Sequence, residues 1–200
     1  MYASYSTVDR SITVDAARVA AQAAGTVGAR FLLTSTDLVF DGEHAPYRES
    51  DIAMPVMVYG GLKIEAEVAV RDALPSAIIL RPALMFGESR GMRRPAYEMQ
   101  HIDAGMPLDL FVDEWRTPVL VDDVARAIWE LLASQASGTY HLGGPQRFSR
   151  IELGRLLCRI FKRDDRLIRE ARRPADRPKD TSLDCSRLVN LLGWKPSAIA

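Results

Sequence analysis

Apolar and polar positions along the chain alternate between helical and strand patterns. Residues 12–24 are Ala-rich with Val14 and Val19 interspersed, which predicts a helix that Gly25 and Gly28 end before the apolar run Phe31-Leu32-Leu33. That run predicts a strand leading into Thr34-Ser35-Thr36-Asp37-Leu38-Val39-Phe40-Asp41-Gly42, after which a Gly-, Pro- and acid-rich stretch to Pro55 reads as a long loop. A helix is expected from there to about Ala73, supported by Glu67 and Arg71 at i,i+4 and weakened in its first turns by Gly60 and Gly61. Pro75 breaks it. Ala77-Ile78-Ile79-Leu80 is continuous rather than alternating, as in a strand buried on both faces of a parallel sheet.

The second half carries weaker signals. Glu88 to Pro95 is polar, with Arg90, Arg93 and Arg94, and is followed by an expected helix through Ile102 and a strand at Leu108 to Val112. A strand at Val119-Leu120-Val121, a helix capped near Asp122 and running to Leu132, and a strand at Thr139-Tyr140-His141 come next. Ser149 and Glu152 form a capping box for a helix ending near Phe161, and Asp184 is expected to cap a last helix stopped by Gly193. The recurrence of strand, helix and strand predicts an α/β fold. The division expected is a partial catalytic core over residues 1–87 and a smaller lobe over 88–200, with about 117–133 returning to the core.

Composition narrows the function classes. With 200 residues and 48% apolar content the chain can bury a substantial core. No apolar run approaches the roughly 18 residues that would span a bilayer, and the first residues lack the order of a signal peptide, so a cytoplasmic protein without a membrane partner is expected. Charge cancels at 26 basic and 26 acidic residues, which argues against nucleic acid as a partner. The stretch from Arg150 to Asp180 is locally basic and reads as a solvated face or an anion-facing surface. Cys158 and Cys185 lie in apolar helical patterns and read as small core residues, while His44, His101 and His141 are scattered, so no metal site is expected.

Candidate chemistry lies on the helix after Pro55. Tyr59 and Lys63 are four residues apart, so both project from one face. A free tyrosine has a pKa near 10, roughly three units too high for ready proton exchange at neutral pH, and a neighbouring ammonium favours the phenolate. A hydroxyl at the end of the preceding strand, Thr36, is suited to hold a carbonyl oxygen.

With its context, this constellation resembles the extended short-chain dehydrogenase/reductase superfamily, and within it the dTDP-4-dehydrorhamnose reductase-like, sugar-nucleotide-binding group. The likeness runs through Ser35-Thr36-Asp37-Leu38-Val39-Phe40-Asp41-Gly42, Pro46-Tyr47-Arg48-Glu49, Val58-Tyr59-Gly60 with Lys63, and Leu80-Arg81-Pro82 with Phe86-Gly87. It continues at Arg116-Thr117-Pro118, Val121-Asp122-Asp123-Val124-Ala125, Arg177-Pro178 and Ser182-Leu183-Asp184.

The resemblance implies a Rossmann-type parallel sheet with a smaller α/β substrate-binding lobe, and reduction of a 4-keto nucleotide sugar by NADPH or NADH. It implies Tyr59 as proton donor, Lys63 as ligand of the nicotinamide ribose, Thr36 on the substrate carbonyl, Pro82 and Ala83 beside the nicotinamide, and Val39 and Phe40 along the sugar pocket. Arg116 either approaches the sugar diphosphate or forms a structural salt bridge. The glycine-rich turn that cradles a pyrophosphate has no counterpart in this sequence, so the N-terminal strands are expected to be missing, with an inactive truncated chain as one reading, and association through the incomplete sheet or as a homodimer is expected. Alternatives are a nucleotide-sugar epimerase or dehydratase, and a non-catalytic subunit resembling the regulatory subunit of methionine adenosyltransferase.

Overall fold

The computed structural model describes residues 9–87 and 97–199; the arginines Arg90, Arg93 and Arg94 lie outside them. A π-helical turn, Ser11–Asp15, runs directly into helix α1 (Ala16–Thr26). Strand β1 (Leu32–Thr34), helix α2 (Val58–Ala73) and strand β2 (Ile78–Pro82) follow, each within three residues of its expected position.

The central sheet has three parallel strands in the order β1, β2, β7, where β7 is Gly138–Leu142. In β2 every residue is buried, the burial expected of a continuous apolar run covered on both faces. Ile79 points to one side, packing with Val70 of α2, Ala21 of α1 and Ala77. Ile78 and Leu80 point to the other, where they meet helix α4 (Val121–Ala133) through Val124, Ala127 and Leu131, and helix α6 (Ser186–Leu192) through Leu188. Each such apolar side chain contributes roughly 1.5–3 kcal/mol on burial. Residues from far along the sequence, α4, β7 and α6, therefore complete the same three layers as α1 and α2.

A second apolar cluster lies beside this sandwich. It joins helix α3 (Tyr97–Asp103), strand β4 (Leu108–Phe111), helix α5 (Arg150–Ile160) and strand β9 (Ile168–Ala171) through Met99, Leu110, Leu157, Cys158 and Ile168. β4 and β9 pair in parallel. Two short pairs stitch the layers together: β3 (Met85–Phe86) with β6 (Val119–Leu120), parallel, and β5 (Trp115–Arg116) with β8 (Phe148–Ser149), antiparallel.

Helix ends show where side-chain chemistry sets boundaries. The Ser149–Glu152 capping box forms as expected at the start of α5. α4 instead begins one residue before Asp122, with Leu120 at the cap and no side-chain cap, so Asp122 and Asp123 sit in the first turn, where the helix dipole favours them. α6 starts after Cys185, yet the Asp184 carboxylate still accepts the Ser186 N–H at 2.9 Å, and Gly193 ends the helix in the left-handed region at φ 74°.

The two glycines after Tyr59 have different jobs. A Cβ on Gly60 would lie 2.1 Å from the Leu38 carbonyl oxygen and 2.8 Å from Pro55 Cβ, so the bare backbone lets the first turn of α2 rest directly on the segment following Thr36. A Cβ on Gly61 would meet nothing within 4 Å. Gly60→Ala is therefore expected to destabilise by about 1–3 kcal/mol, and Gly61→Ala to stabilise by up to about 1 kcal/mol. Urea unfolding of the two variants measures this, and equal effects would remove the close-approach explanation.

Candidate active site

The C-terminal ends of β1 and β2 open onto a cavity of about 370 Å3, within the size range of small-molecule sites. Ser35, Thr36, Tyr59, Pro82 and Ala83 line one end. Leu110, Leu153, Leu157 and Phe86 form its apolar wall on the lobe side, and Arg116, Arg150 and Arg177 with Glu98 and Glu114 complete it.

Thr36 leaves β1 in extended conformation and caps a short 3-10 turn at Asp37–Val39, its Oγ1 accepting the Leu38 N–H at 3.2 Å. The same hydroxyl donates to Asp37 Oδ1 at 3.2 Å. Tyr59 stands in the first turn of α2 and is partly exposed. Lys63 follows one turn later with Nζ 5.8 Å from the Tyr59 ring centroid, and it donates to the Thr34 carbonyl oxygen at 2.9 Å. Burial lowers the Lys63 pKa, an effect that the nearby Glu67 carboxylate opposes. The cavity thus brings together Thr36, Tyr59, Pro82 and Ala83, with Lys63 held behind Tyr59 at the end of β1.

Val39 and Phe40 are placed elsewhere. Both are 0% exposed and pack in a cluster with Tyr47, Ala83 and Leu183, because the 3-10 turn carries Asp37 and Leu38 to the cavity and rotates the next two residues behind its wall. Phe40 stacks on Tyr47 with ring centroids 4.1 Å apart, and the Arg81 guanidinium covers it at 5.3 Å. Tyr47 in turn fastens the long loop: its hydroxyl donates to Asp41 and accepts the N–H groups of Gly42 and His44.

Arg116 lines the cavity but is 4% exposed and already paired, with Asp37 at 3.4 Å and Glu114 at 3.1 Å. Glu114 also takes a two-point grip from Arg177, through Nε at 2.5 Å and Nη2 at 2.9 Å. Arg150 pairs with Glu98. Burial raises the Asp37 carboxyl above its ordinary value, with Arg116 and the hydroxyls of Thr181 and Thr36 offsetting part of the effect. At Glu114 burial pushes the same way, but Arg177, Arg116 and Arg150 outweigh it and hold the carboxyl below its ordinary value. Glu98, Glu114, Arg150 and Arg177 are not singled out from sequence as cavity residues; nothing in their spacing marks them, since α3, the segment before β5, α5 and the segment after β9 meet only after folding. Among the described residues no group of three His, Cys, Asp or Glu side chains could hold a metal ion, and no helix is long and apolar enough to cross a membrane.

A parallel strand leading into Thr36, followed by a helix that sets Tyr59 on the cavity and Lys63 one turn behind it, is the arrangement of the extended short-chain dehydrogenase/reductase class. Within it, the chain belongs to the RmlD substrate binding domain family, which matches residues 4–199. It is 35% identical over 174 residues to the probable low-salt glycan biosynthesis reductase Agl14 of Haloferax volcanii, covering 82% of this chain and 58% of that protein. It is 31% identical over 192 residues to methionine adenosyltransferase 2 subunit beta of Bos taurus, covering 90% and 58%. Among solved structures, a hypothetical dTDP-4-dehydrorhamnose reductase from Sulfolobus tokodaii superposes with a TM-score of 0.78 at 28% identity, over 94% of this chain and 68% of that one. The dTDP-4-dehydrorhamnose reductase of Bacillus anthracis, solved in complex with NADP, shares the fold with a TM-score of 0.82 at 22% identity, over 94% and 68%. The chain spans 58% of the length of those first two relatives.

His141, on β7 beside Arg81, supplies a pH test of this packing. It is 0% exposed, its Nδ1 lies 3.1 Å from the Tyr47 carbonyl oxygen, and burial together with the Arg81 charge pushes its pKa down to about 4. The folded imidazole stays neutral where the unfolded one takes up a proton, so its share of stability is full above about pH 6.5 and falls as pH drops towards 4. The expected loss over that window is about 3 kcal/mol. Denaturant midpoints measured from pH 7.5 to 4.5 should show this slope in the wild type and a flatter one in His141→Gln; parallel slopes would contradict it.

Proposed function

We propose that this chain is the catalytic and substrate-facing portion of an NAD(P)H-dependent reductase of a 4-keto nucleotide sugar. The observation that supports it most directly is the lining of one cavity by Thr36, Tyr59, Pro82 and Ala83, with the Lys63 ammonium 5.8 Å from the Tyr59 ring. Residues 1–87 are the cofactor side in this reading, and most of 88–200 is the substrate side, with about 117–133 returning to the core.

A nicotinamide fits the residues present. Pro82 and Ala83 offer a small, apolar rim at the end of β2, and Lys63 gives one of its three N–H bonds to Thr34, so two others would be left to hold a ribose. The cofactor, when bound, supplies the hydride. Thr36 would hold the carbonyl oxygen by turning its hydroxyl hydrogen from Asp37 Oδ1 to the substrate, and Tyr59 would give that oxygen a proton as negative charge builds on it. The Lys63 charge would stabilise the phenolate left behind.

The glycan-biosynthesis reductase at 35% identity favours reduction. The methionine adenosyltransferase subunit at 31% identity keeps a non-catalytic role in view, and epimerisation or dehydration would use the same tyrosine and lysine. The deciding measurement is NADPH or NADH oxidation with keto-sugar nucleotides, using the full-length polypeptide. Net oxidation is expected, and Tyr59→Phe should lower turnover by roughly 10² to 10⁴. Turnover without net oxidation would point to epimerase or dehydratase chemistry. No turnover, with co-purification of a synthetase-type partner, would point to the regulatory role.

A further inference from the structure

One carboxylate outside the cavity lining touches the segments that carry the candidate site. Glu67 lies one turn beyond Lys63 on α2 and is 0% exposed. Its Oε1 accepts Ser35 Oγ at 2.5 Å and Arg81 Nε at 2.9 Å, while its Oε2 accepts Arg81 Nη2 and Arg71 Nη2, each at 2.7 Å. Ser35 is the residue before Thr36, and Arg81 is the residue before Pro82 and Ala83. A single side chain of the helix bearing Tyr59 and Lys63 therefore grips both strand ends from which the other cavity residues project.

Stability alone is a poor explanation for this arrangement. A buried ion pair replaced by apolar groups of the same shape is often no less stable, because desolvation cancels most of the Coulomb gain. What the carboxylate adds is direction: two oxygens on a guanidinium fork fix an angle as well as a distance. The geometry points to Glu67 as a positioning residue of the candidate site, setting α2, β1 and β2 in the register at which Tyr59, Lys63 and Thr36 converge. This inference rests on the reductase reading above for its catalytic meaning.

Glu67 also sits in the field felt by Lys63. Its charged and titratable neighbours are Lys63 and Arg71 on α2, Arg81 on β2 and His141 on β7. Burial would raise the Glu67 carboxyl, but Arg81, Ser35 and Arg71 hold it below its ordinary value, so it is negative at neutral pH and opposes the depression of the Lys63 pKa.

The chain has four lysines, so lysine-selective 13C labelling yields four titrating signals, and Lys63→Arg assigns the one of interest. In Glu67→Gln the Lys63 midpoint is expected to fall by about one unit. Glu67→Asp, which keeps the charge, should restore most of it. Glu114→Gln, a buried carboxylate in the other network, should leave it in place. An unmoved midpoint in Glu67→Gln, or an equal fall in Glu114→Gln, would overturn the inference.

Ser35→Ala cuts the arm from Glu67 to the Thr36 segment, at a residue that also lines the cavity, and serves if Glu67→Gln does not fold. There kcat should drop about 10- to 100-fold, as for a misplacement near 1 Å, with KM little changed. An unchanged kcat in that variant would also overturn it. A wild type without turnover would count against the reductase reading instead, and the lysine titration would still decide the role of Glu67.

Discussion

The pairing of Arg81 with Glu67 is the interaction on which the rest of the structure hangs. β2 is buried along its whole length, yet its fourth residue carries a positive charge. An unpaired ion there would cost several kcal/mol, so a carboxylate has to come to it. It comes from α2, and once it does the helix cannot slide or rotate relative to the strand. The Arg81 guanidinium also covers Phe40, which stacks on Tyr47 and meets His141 edge-on at 5.5 Å. One charge in the sheet thus orders the turn after Thr36, the long loop held by Tyr47 and the neighbouring strand.

The lobe side solves the same problem with Glu114. It is 1% exposed and holds Arg116 and Arg177, while its backbone oxygen accepts the Arg150 N–H at 2.9 Å. β5, the start of α5 and the segment before β5's partner bridge at Asp180 are drawn together around it. The basic stretch from Arg150 to Asp180 is largely accounted for in this way. Arg150 and Arg177 turn inward, and Arg155, Arg163, Arg166 and Arg172 pair at the surface with Glu170, Asp103, Asp164 and Asp113.

Much of the core was legible in the sequence, because its signals are local. The continuous run at Ile78–Leu80, the Ala-rich first helix, the Ser149–Glu152 box and the Gly193 stop each depend on a few adjacent residues. The Tyr59–Lys63 spacing is of the same kind. Strand β6 is expected at Val119-Leu120-Val121, but strands β3, β5, β8 and β9 carry no signal of their own, since two- to four-residue strands leave no period and exist only through pairing with distant segments. Val39 and Phe40, which the resemblance implies along the sugar pocket, pack behind the cavity wall because one 3-10 turn exchanges which residues face inward, and no local sequence signal registers that exchange. The charged cavity wall joins four separate segments, so no spacing rule could have assembled it.

That wall has a consequence for selectivity. Among the described residues it carries three guanidinium groups, at Arg116, Arg150 and Arg177, and three carboxylates, at Asp37, Glu98 and Glu114, so its formal charges cancel. An incoming oxyanion can meet the buried Arg150 Nη1, which has no hydrogen-bond partner among the described residues, and elsewhere on this wall it competes with a resident carboxylate. Ligands are then ranked by how faithfully they imitate that fork-shaped acceptor, and anions of equal charge but unsuited shape gain less by entering.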